Sequence, residues 1–437
     1  MDLRFTSNPS SPPFLQAVVA NRAGEIYELD EYAAVGMAAG NLAPLSMAET
    51  VLMPHGSELM RLPQRRPIVY NLRKNQVETL NEDPYSPGEP VYPVAVFNSP
   101  GYMVTHVSAY EEQPKAEYLP LFSYGAVGWY GQGFQSAAMQ VDTEPRQDLR
   151  RMPQDKIIAG VRQMRRKVPK NRLRRHLENC ALVYGCPAAK NFFLGRYEAP
   201  LPASRSCNAR CRGCISLQEN TDIQPSQDRI NFTPTPEEIA AVALAHIAKT
   251  LRPVVSFGQG CEGEPLLAAE VIEPAIRLIR KKTSAGTINM NTNASRPDIL
   301  ERLFEAGLES IRVSLNSVRP DGYHAYFRPR DYRFTDVIRS IDLAVWRNRF
   351  VAINYLNSPG FTDTPEELDA LTQFIRQHTI HMIQWRNLNF DPMRYWQSVN
   401  RIVPSGQPMG MRQLFKTINR RFPGLMHGYF NPPKEKW

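Results

Sequence analysis

Cysteine is scarce in this sequence, and long apolar runs are missing from it. Six of the 437 residues are cysteine, and all six lie between Cys180 and Cys261. A disulfide framework would be spread along the chain, so this clustering favours metal binding or catalysis over structural disulfides. No stretch approaches the roughly 18 consecutive apolar residues of a membrane span, and the N-terminus lacks the basic start and apolar core of a secretory signal. We therefore expect a cytoplasmic protein that does not bind a membrane.

Glycine is less common than proline, with 25 residues against 37, which predicts many stiff and irregular connections. Hydrophobic residues make up 42% of the chain and charged residues 22%, which are values typical of a globular protein. A length of 437 residues favours two or three domains, each with its own core. Together these values exclude a single small binding module.

The formal net charge is +9, and the positive residues are unevenly spread. Residues 146–175 contain many of them, with few acids to offset the charge: Arg150, Arg151, Arg162, Arg165, Arg166, Lys167, Lys170, Arg172, Arg174 and Arg175. Such a run attracts polyanions without specifying which one, so nucleic acid is a candidate partner. The alternative is a solvated face of two helices. The run lacks interleaved aromatic residues of the kind that stack on bases.

Sequence patterns divide the chain into four segments. Residues 1–140 contain short β-branched and aromatic stretches broken by Pro and Gly, which predict a β-rich N-terminal domain. Residues 141–195 place apolar residues at helical spacing beside the basic run, which predicts a basic helical connector. Residues 196–395 form a core of alternating short apolar runs and helical patterns. Residues 396–437 are a C-terminal extension.

The alternation in the core predicts successive βα units, and therefore an α/β fold with a parallel sheet. Six strands are predicted, at residues 199–203, 253–257, 287–291, 310–315, 350–356 and 381–388. Two of the helices between them begin with Thr-Pro-Glu-Glu, at Thr235 and Thr364. In both, Thr is the expected N-cap and a glutamate is placed to close a capping box.

Polar residues lie at, or just after, the ends of all six predicted strands. They are the loop 207–214, the segment 259–264, then Asn291, Thr292 and Asn293, then Ser314 and Asn316, then Asn354 and Tyr355, and last Arg386, Asn387 and Asn389. Ligands of parallel α/β sheets bind where the strands end, because the loops that leave the carboxyl ends carry the functional groups. The sequence therefore predicts one site at this edge of the sheet.

The loop after the first predicted strand reads Cys207-Asn-Ala-Arg-Cys211-Arg-Gly-Cys214. Three thiolates from one short loop can bind three irons of a 4Fe-4S cubane and leave the fourth iron without a protein ligand from that loop. Zinc and redox thiols are the alternatives. Structural zinc sites, however, usually pair two such knuckles to close four positions, and no second knuckle follows here.

A CxxxCxxC motif after the first of six βα units resembles the radical S-adenosylmethionine (SAM) superfamily. The resemblance covers roughly residues 196–390 and implies a partial (β/α)6 TIM-like barrel, preceded here by the β-rich N-terminal domain. A second motif, Ser256-Phe-Gly-Gln-Gly-Cys-Glu-Gly263-Glu264-Pro265, looks like the GGEP-type loop of that family. The resemblance implies that Gly263 and Glu264 hold the amino group of SAM.

Position along the barrel supplies further cofactor candidates. Family members place polar groups for the ribose hydroxyls and the carboxylate of SAM at the ends of the third and fourth strands, which makes candidates of Asn291, Asn293, Arg312, Ser314 and Asn316. One position departs from the family pattern. The residue before the last motif cysteine is often aromatic and packs near the adenine, but here it is Gly213. Adenine packing is then expected from Ile215 or from the fifth strand.

The resemblance also implies a reaction. SAM chelates the open iron, an electron from a flavodoxin or ferredoxin breaks a sulfur–carbon bond, and the 5'-deoxyadenosyl radical abstracts hydrogen from an unactivated carbon. The substrate is expected to be a peptide, a protein or a small molecule, with methylation among the outcomes. Cobalamin stays open as an additional cofactor, although the N-terminal half has no Asp-x-His-x-x-Gly motif. The alternatives are an RNA-modifying radical SAM enzyme and a non-catalytic iron–sulfur protein that binds nucleic acid.

The three remaining cysteines have two interpretations. His176 and Cys180 lie at positions i and i+4 of a predicted helix, with Cys186 six residues on, which allows a small metal site or a buried helix cysteine. Cys261, in the GGEP-type loop, is a candidate thiyl or nucleophilic participant close to the cofactor.

The N-terminal domain is expected to close or line the mouth of the barrel, because a partial barrel leaves an open side and a radical must be shielded from water. Within the aromatic, glycine-rich stretch 122–134, the residues Tyr124, Trp129 and Tyr130 are candidates for contact with substrate or cofactor. The alternative is that they fill the core of the N-terminal domain itself.

Overall fold

Antiparallel strands build the N-terminal third of the chain. A computed structural model describes residues 13–403 and 406–437. The strands of this part are β1 Gln16–Ala20, β2 Ile26–Ala38, β3 Asn41–Pro44, β4 Val51–Leu52, β5 Glu58–Arg61, β6 Arg65–Asn71, β7 Gln76–Thr79, β8 Tyr92–Phe97, β9 Tyr102–Val104, β10 Val107–Ser108, β11 Tyr110–Glu112, β12 Val127–Tyr130, β13 Gly133–Ser136 and β14 Ala138–Gln140. The prediction of a β-rich N-terminal region is confirmed.

Strand β2 organises this region. It is 13 residues long and pairs with β1, β3, β6 and β10, all antiparallel. Its second half is buried on both faces, and Ala33, Val35 and Met37 share one apolar cluster with Tyr110 and Tyr124. Runs that are apolar on both faces are expected where layers of strands cover each other.

Three helices connect the β-rich region to the core: α1 Gln154–Lys167, α2 Arg172–Leu182 and α3 Pro187–Leu194. Helix α1 buries Ile157, Val161 and Met164 and turns its basic side outward. The predicted break at Pro169 is found, and α2 begins after Asn171, whose side chain accepts a hydrogen bond from the Arg174 amide at 2.8 Å. This cap satisfies one of the free amides of the first turn.

The core is a parallel sheet whose strands follow one another in chain order. They are β15 Glu198–Pro200, β16 Val254–Phe257, β17 Thr287–Thr292, β18 Ser310–Leu315, β19 Phe350–Asn357, β20 Met382–Asn387 and β21 Met426–Gly428. The helices are α4 Pro236–Ile247, α5 Ala269–Lys282, α6 Pro297–Ala306, α7 Pro320–Phe327, α8 Phe334–Trp346, α9 Pro365–Gln377, α10 Pro392–Asn400 and α11 Met411–Arg421. Sequential parallel strands with helical crossovers define a partial TIM-like barrel, as predicted.

The sheet contains one strand more than the six predicted. Strand β21 pairs with β20 and comes from the segment predicted as a C-terminal extension. The run Met426–Gly428 is too short and too polar to stand out as a strand in the sequence. Where the barrel ends and an extension begins, near residue 395, remains a prediction.

The inner and outer faces of the barrel differ in polarity. Ile288, Met290, Ile311, Val313 and Ile353 alternate along β17 to β19 and belong to the main apolar core. The intervening positions carry polar side chains that bond across the strands: Ser256, Asn289, Asn291, Ser310, Arg312 and Gln384. Since the interior of a TIM barrel is normally filled by Val, Ile and Leu, this polar lining is suited to a ligand chamber.

One of the two predicted capping boxes forms. The Thr235 hydroxyl accepts from the Glu238 amide at 3.3 Å, and the Thr235 amide donates to the Glu238 carboxylate at 2.9 Å. At α9 the box is absent, because Glu367 turns into the core and accepts from the Ser317 hydroxyl at 2.8 Å. A tertiary partner has displaced the local interaction there.

The N-terminal region lies against the loops that leave β19 and β20. Arg65 donates to Asp391 at 2.9 Å, and Tyr110 donates to the same carboxylate at 3.0 Å. The Val104 amide donates to Asn387 Oδ1 at 2.9 Å, and Asn387 Nδ2 donates to the Tyr102 carbonyl at 2.9 Å. These contacts place the region at the carboxyl edge of the barrel sheet.

No helix in the described residues is long and apolar enough to cross a membrane.

Candidate active site

The three motif cysteines lie on one loop after β15, at the carboxyl edge of the sheet, and each is half-buried. Burial raises the pKa of the Cys207 thiol to about 11, with the charge of Glu264 as the next cause. The pKa of Cys211 is raised well above its usual range by burial and by the charges of Cys207 and Cys214. The three thiols are therefore close neighbours that cannot all ionise without a compensating positive charge.

The donor set fits an iron–sulfur cluster better than a single ion. Among the described residues, the three motif sulfurs do not all lie within 4.8 Å of one another. A tetrahedral zinc ion with bonds of about 2.3 Å would hold its sulfur ligands roughly 3.8 Å apart. Three half-buried thiols at wider spacing, on one loop, suit a cubane whose fourth iron is free of ligands from that loop.

Helix α7 and the segment after it hold the cysteine loop in place. The Arg212 amide donates to the Tyr326 carbonyl at 3.1 Å, and the Arg210 amide donates to the Phe327 carbonyl at 2.9 Å. The Arg330 amide returns a hydrogen bond of 3.0 Å to the Asn208 carbonyl. The loop is therefore fixed by backbone bonds on both sides of Cys211.

Gly213, where the family often has an aromatic residue, has no room for a side chain. A Cβ there would lie 2.7 Å from the Asn389 carbonyl oxygen and 2.8 Å from the hydroxyl of Tyr326. The aromatic ring that reaches this position comes instead from Tyr326 on α7, which the sequence analysis missed. Ile215, the predicted substitute, packs against the GGEP-type loop at Gly260.

Gly263 allows the GGEP-type loop to touch the cysteine loop. A Cβ on Gly263 would stand 1.9 Å from the Ser206 carbonyl oxygen, a contact with rigid backbone that no side chain tolerates. The Gly263 amide donates to the Ser204 carbonyl and the Glu264 amide donates to the Ser206 carbonyl, each at 2.8 Å. The two predicted motifs are thus brought together in one site.

Glu264 is fully buried and bonded at both carboxylate oxygens. One oxygen accepts from the Thr292 hydroxyl at 2.5 Å and from the Leu266 amide at 3.2 Å, and the other accepts from the Asn293 amide at 2.8 Å. Burial raises the pKa of Glu264 to about 7, although these hydrogen bonds oppose the shift. The carboxylate therefore ties the β16 loop to the end of β17.

Glu262 is a second buried acid in the same loop, and the sequence analysis did not single it out. Its two oxygens accept from the amides of Ala203 at 2.8 Å, Ser204 at 2.9 Å, Gly258 at 2.6 Å and Gln259 at 2.8 Å. Burial raises its pKa to about 7. Glu262 therefore holds two loops together through four backbone amides. The sequence signal that could have identified it is an acidic residue inside a glycine-rich turn.

Asn291 in β17 and Asn293 just after the strand lie in two different environments. Asn293 donates to Asn208 Oδ1 at 2.8 Å and so bonds to the cysteine loop. Asn291 lies deeper in the barrel, where it donates to the Gly258 carbonyl at 3.0 Å and accepts from Asn431 at 3.3 Å. Asn293 is therefore beside the cysteine loop, whereas Asn291 is bonded within the barrel interior.

The candidates of β18 also separate. Arg312 lies inside the barrel and donates to Gln384 Oε1 at 3.0 Å, and burial lowers its pKa to about 9, with Arg386 as the next cause. Ser314 follows two residues later on the same strand and is half-buried. Asn316 is fully buried and donates to the Gly322 carbonyl at 2.9 Å and the Tyr395 hydroxyl at 3.1 Å.

Arg386 is a second arginine in the barrel interior. The sequence analysis named it only among the polar residues at the strand ends. Arg386 donates to the Tyr429 carbonyl at 2.7 Å, and its guanidinium lies 3.7 Å from the centre of the Tyr429 ring. Across the described residues, the buried Nε atoms of Arg312 and Arg386 and the Oδ1 atom of Asn354 have no hydrogen-bond partner. Unsatisfied buried donors of this kind call for a ligand or ordered water.

The additional candidates lie in different places. Tyr124 is buried beside Asn357, Asn387 and Phe390 at the barrel mouth. Trp129 packs on Phe134, with ring centres 4.8 Å apart, in an apolar cluster of the N-terminal sheets, and Tyr130 is exposed on the same strand. The structure therefore brings Tyr124 to the site region and leaves the other two on β12.

The thiol of Cys261 faces α2 and not the motif cysteines. Its sulfur lies 3.4 Å from His176 Nε2, and His176 Nε2 lies 3.5 Å from the sulfur of Cys180. The structure therefore places Cys261 beside His176 and Cys180 of α2. The sequence analysis had named Cys186 as the third member of that group.

Much of the basic run is paired within the protein. Four of its ten cations bond to carboxylates: Arg150 to Asp148, Arg165 and Arg174 to Glu178, and Arg172 to Glu238. Arg146 is buried against the rings of Tyr197 and Phe430. The run is therefore a partly neutralised surface of the connector, and nucleic-acid binding gains no support from it.

Comparison with known proteins agrees with this geometry. Residues 201–375 match the model of the Radical SAM superfamily. Two relatives are named GTP 3',8-cyclase. That of Rhizobium etli is 30% identical over 171 residues, which cover 38% of this chain and 45% of the relative. That of Marinobacter nauticus is 29% identical over 184 residues, which cover 41% of this chain and 50% of the relative. A solved radical SAM methyltransferase from Sphaerobacter thermophilus is 18% identical, with a TM-score of 0.37 over 52% of this chain and 62% of its own.

Fold and site together define an α/β-barrel enzyme that depends on an iron–sulfur cluster. The chain contains a radical SAM domain, matched over residues 201–375, and members of that superfamily use a 4Fe-4S cluster and SAM. It spans about half the length of the GTP 3',8-cyclases it matches.

Proposed function

We propose that this enzyme reductively cleaves SAM and uses the radical to abstract hydrogen from a small, negatively charged molecule bound inside the barrel. The pair Arg312 and Arg386 carries this proposal. Both guanidiniums donate to neutral acceptors, Gln384 Oε1 and the Tyr429 carbonyl. Neither guanidinium is ion-paired with a carboxylate of the described residues, although the charge of Glu198 acts on Arg312 and partly opposes the effect of Arg386.

Two neighbouring cations in a polar chamber favour an anionic ligand for electrostatic reasons. The charge of Arg386 lowers the pKa of Arg312, so the two groups repel each other when the chamber holds no anion. A carboxylate or phosphate between them would relieve that repulsion and could use the free Nε donors, since guanidinium binds such groups with two parallel hydrogen bonds. The anion is either the SAM carboxylate or a charged group of the substrate, and two arginines can serve both.

The cluster and SAM, when bound, supply one electron and a 5'-deoxyadenosyl radical that abstracts hydrogen from an unactivated carbon. The chain's own residues bind and orient these groups. We assign the three iron ligands to Cys207, Cys211 and Cys214. Gly263 and Glu264 are assigned to the amino group of SAM.

Asn291, Asn293, Ser314 and Asn316 remain candidates for the hydroxyls and carboxylate of SAM. Asn293 is the best supported of them, because its amide group already bonds to Asn208 inside the cysteine motif. The side-chain amide nitrogen of Asn316 already donates to Gly322 and Tyr395. Asn316 can therefore contact the cofactor only through its Oδ1 atom, which is buried and has no hydrogen-bond partner.

The relatives support a small substrate. Those named GTP 3',8-cyclase act, by their name, on GTP, whose phosphates have the chemistry that paired arginines recognise. None of the relatives reported above is named for peptide methylation, so that branch of the expectation is not pursued. GTP is the first substrate to test, with other phosphorylated nucleosides next.

We also propose that residues 1–140 act as the cover of the site, with 141–195 as connector and 196–395 as the catalytic barrel. The contacts of Asp391 and Asn387 support this division, because Asn387 ends β20 and Asp391 follows it, at the edge where the cysteine loop lies. A cover of this kind shields a radical from water. Tyr124 is the aromatic residue of the cover best placed to contact a ligand.

The electron donor is expected to be of flavodoxin or ferredoxin type. Arg210, Arg328 and Arg330 are exposed around the cysteine loop. Arg210 and Arg330 share the single carboxylate of Glu219, so the three arginines keep a net positive charge there. A positive surface steers an acidic partner toward the site.

The proposal is tested with full-length protein reconstituted anaerobically with iron and sulfide. With dithionite and SAM we expect 5'-deoxyadenosine and methionine, detected by liquid chromatography, and faster formation when GTP is added. The Arg386→Gln variant should weaken the GTP effect, whereas Arg376→Gln, an exposed arginine on α9, should not. Failure of the wild type to form 5'-deoxyadenosine would contradict the activity. Equal responses of the two arginine variants would contradict the substrate site.

A further inference from the structure

Outside the cysteine motif, one group of side chains in the described part of the chain has the spacing of a metal site. His176, Cys180 and Cys261 offer ligand atoms that all lie within 4.8 Å of one another. We propose that these three residues bind a zinc ion, separate from the iron–sulfur cluster. The proposal does not depend on which substrate the barrel accepts.

The distances agree with tetrahedral coordination. Nε2 of His176 lies 3.4 Å from the sulfur of Cys261 and 3.5 Å from the sulfur of Cys180. Zinc bonds of about 2.3 Å to sulfur and 2.0–2.1 Å to nitrogen set this separation at roughly 3.6 Å. Two of the three separations therefore match those that an ion would set, and the third, between the two sulfurs, is within 4.8 Å.

Hydrogen bonds can link these atoms only in pairs. A ring nitrogen of histidine has either one lone pair or one proton, so Nε2 can form one in-plane hydrogen bond. Here two sulfurs approach the same nitrogen at nearly equal distance, and the two thiols also hydrogen-bond to each other. An ion at the centre would engage the nitrogen and both sulfurs at once.

The fold explains how the three residues meet. His176 and Cys180 are four residues apart on α2 and therefore share one face of that helix. Cys261 comes from the loop after β16, where its carbonyl accepts from the Ile230 amide at 2.7 Å. Cys180 and Cys261 are buried, while His176 is half-exposed and leaves a route from solvent. The group joins α2 of the connector to the loop after β16 of the barrel. A sequence pattern within either segment could not reveal this contact.

The ligand types favour zinc. Two thiolates and one imidazole are typical zinc ligands, and zinc has no redox chemistry that would quench a radical nearby. An ion bound here would also anchor the loop that contains Glu262 and Gly263, because Cys261 immediately precedes them. Its role is therefore to fix the GGEP-type loop against α2.

The test uses the full-length triple variant Cys207→Ala/Cys211→Ala/Cys214→Ala, which lacks the cluster ligands. We expect one equivalent of Zn²⁺ to bind, and Co²⁺ in its place to give the visible absorption of thiolate coordination. Adding Cys261→Ser or His176→Ala should weaken zinc affinity by more than about 100-fold, since changes in residues that merely support a ligand already cost roughly 10- to 100-fold. Zinc should also raise the unfolding temperature of the triple variant.

Cys186→Ser is the matched control. Cys186 lies near enough to influence the pKa of Cys261 but is not part of the 4.8 Å group, so the variant should keep its zinc. If the triple variant does not fold, the zinc content of reconstituted wild type is compared with that of Cys180→Ser and Cys186→Ser.

Three results would overturn the proposal. They are the absence of stoichiometric zinc, an equal loss in Cys180→Ser and Cys186→Ser, and a Cys180–Cys261 disulfide in protein kept anaerobic. Each is independent of SAM cleavage. Failure of the zinc site would therefore be distinguished from failure of the proposed function.

Discussion

The carboxylate of Asp391 lies 2.9 Å from the guanidinium of Arg65, and neither side chain is more than 1% exposed. The two residues are 326 positions apart in the sequence, and their contact joins the N-terminal region to the loop after β20. Tyr110 donates to the second oxygen of the same carboxylate. A buried ion pair of this kind fixes the position of the N-terminal region on the barrel.

Breaking this pair should destabilise the protein. In Asp391→Asn the buried Arg65 keeps its charge and loses one of its two carboxylate partners, since Glu112 still lies 2.7 Å away. We therefore expect a cost below the roughly 3–5 kcal/mol of a buried charge left without any partner. The expected result is a lower urea midpoint in equilibrium unfolding. Asp369→Asn is the matched control, because Asp369 is 80% exposed and stands 3.9 Å from Arg421. A midpoint for Asp391→Asn equal to that of the control would show that the contact does not hold the two parts together.

The close approach of the two motif loops gives a second prediction. Gly263→Ala would place a methyl group 1.9 Å from the Ser206 carbonyl oxygen, so the cysteine loop must move. Overpacking of this kind costs roughly 1–3 kcal/mol, and the shift should also lower the iron content after reconstitution. Gly424→Ala is the control, since a Cβ there meets nothing within 4 Å. Unchanged iron content in Gly263→Ala would mean that the loops adapt without displacing the cysteines.

Stability should depend on pH through Glu367. Burial raises the pKa of this carboxyl from 4.5 to about 7, although Ser317 and Arg319 bond to it. The folded state therefore binds more protons than the unfolded state between these two values, so the free energy of unfolding falls as pH rises from about 4.5 to about 7. The shift corresponds to about 3 kcal/mol at most.

The check is chemical denaturation across that pH window. Glu367→Gln carries no titrating proton and should reduce the dependence, to which the buried Glu262 and Glu264 also contribute through their raised pKa values. Glu366→Gln, at an exposed neighbouring position, should leave the dependence unchanged. If the free energy of unfolding changes with pH to the same extent in wild type and in Glu367→Gln, Glu367 does not cause the pH dependence.

Much of this fold was readable from the sequence because its signals are local. The predicted strand 310–315 coincides with β18, and the capping box at Thr235 forms, since both depend on residues near each other in the chain. The box at Thr364 fails for the opposite reason. Its glutamate has a stronger partner in Ser317, 50 residues away, which no local pattern reveals.

The candidate site shows the same division. The order of residues on each strand predicted that the cysteine loop, Glu264 and Asn293 would meet at one edge of the sheet. It could not show that Glu262 would clamp two loops or that Cys261 would turn toward His176. Those outcomes depend on which face a loop presents after the sheet is assembled. Trp129 and Tyr130 were chosen for their chemistry, whereas the pairing of β12 with β1 and β13 decides where they lie.

The assignment of Glu264 gives the last prediction. Its carboxylate is already bonded to Thr292, Leu266 and Asn293, so its removal would release three donors as well as any bond to SAM. We expect Glu264→Ala to weaken SAM binding by roughly 1.5–3 kcal/mol, or about 10- to 150-fold, because a charge-assisted hydrogen bond to the ammonium group is lost. The measurement is equilibrium binding of SAM to the reconstituted protein, with iron content determined in parallel. Glu270→Ala, an exposed acid in the first turn of α5, is the control. A variant that keeps its cluster and binds SAM like the control would remove Glu264 from the cofactor site and leave it as a link between β16 and β17.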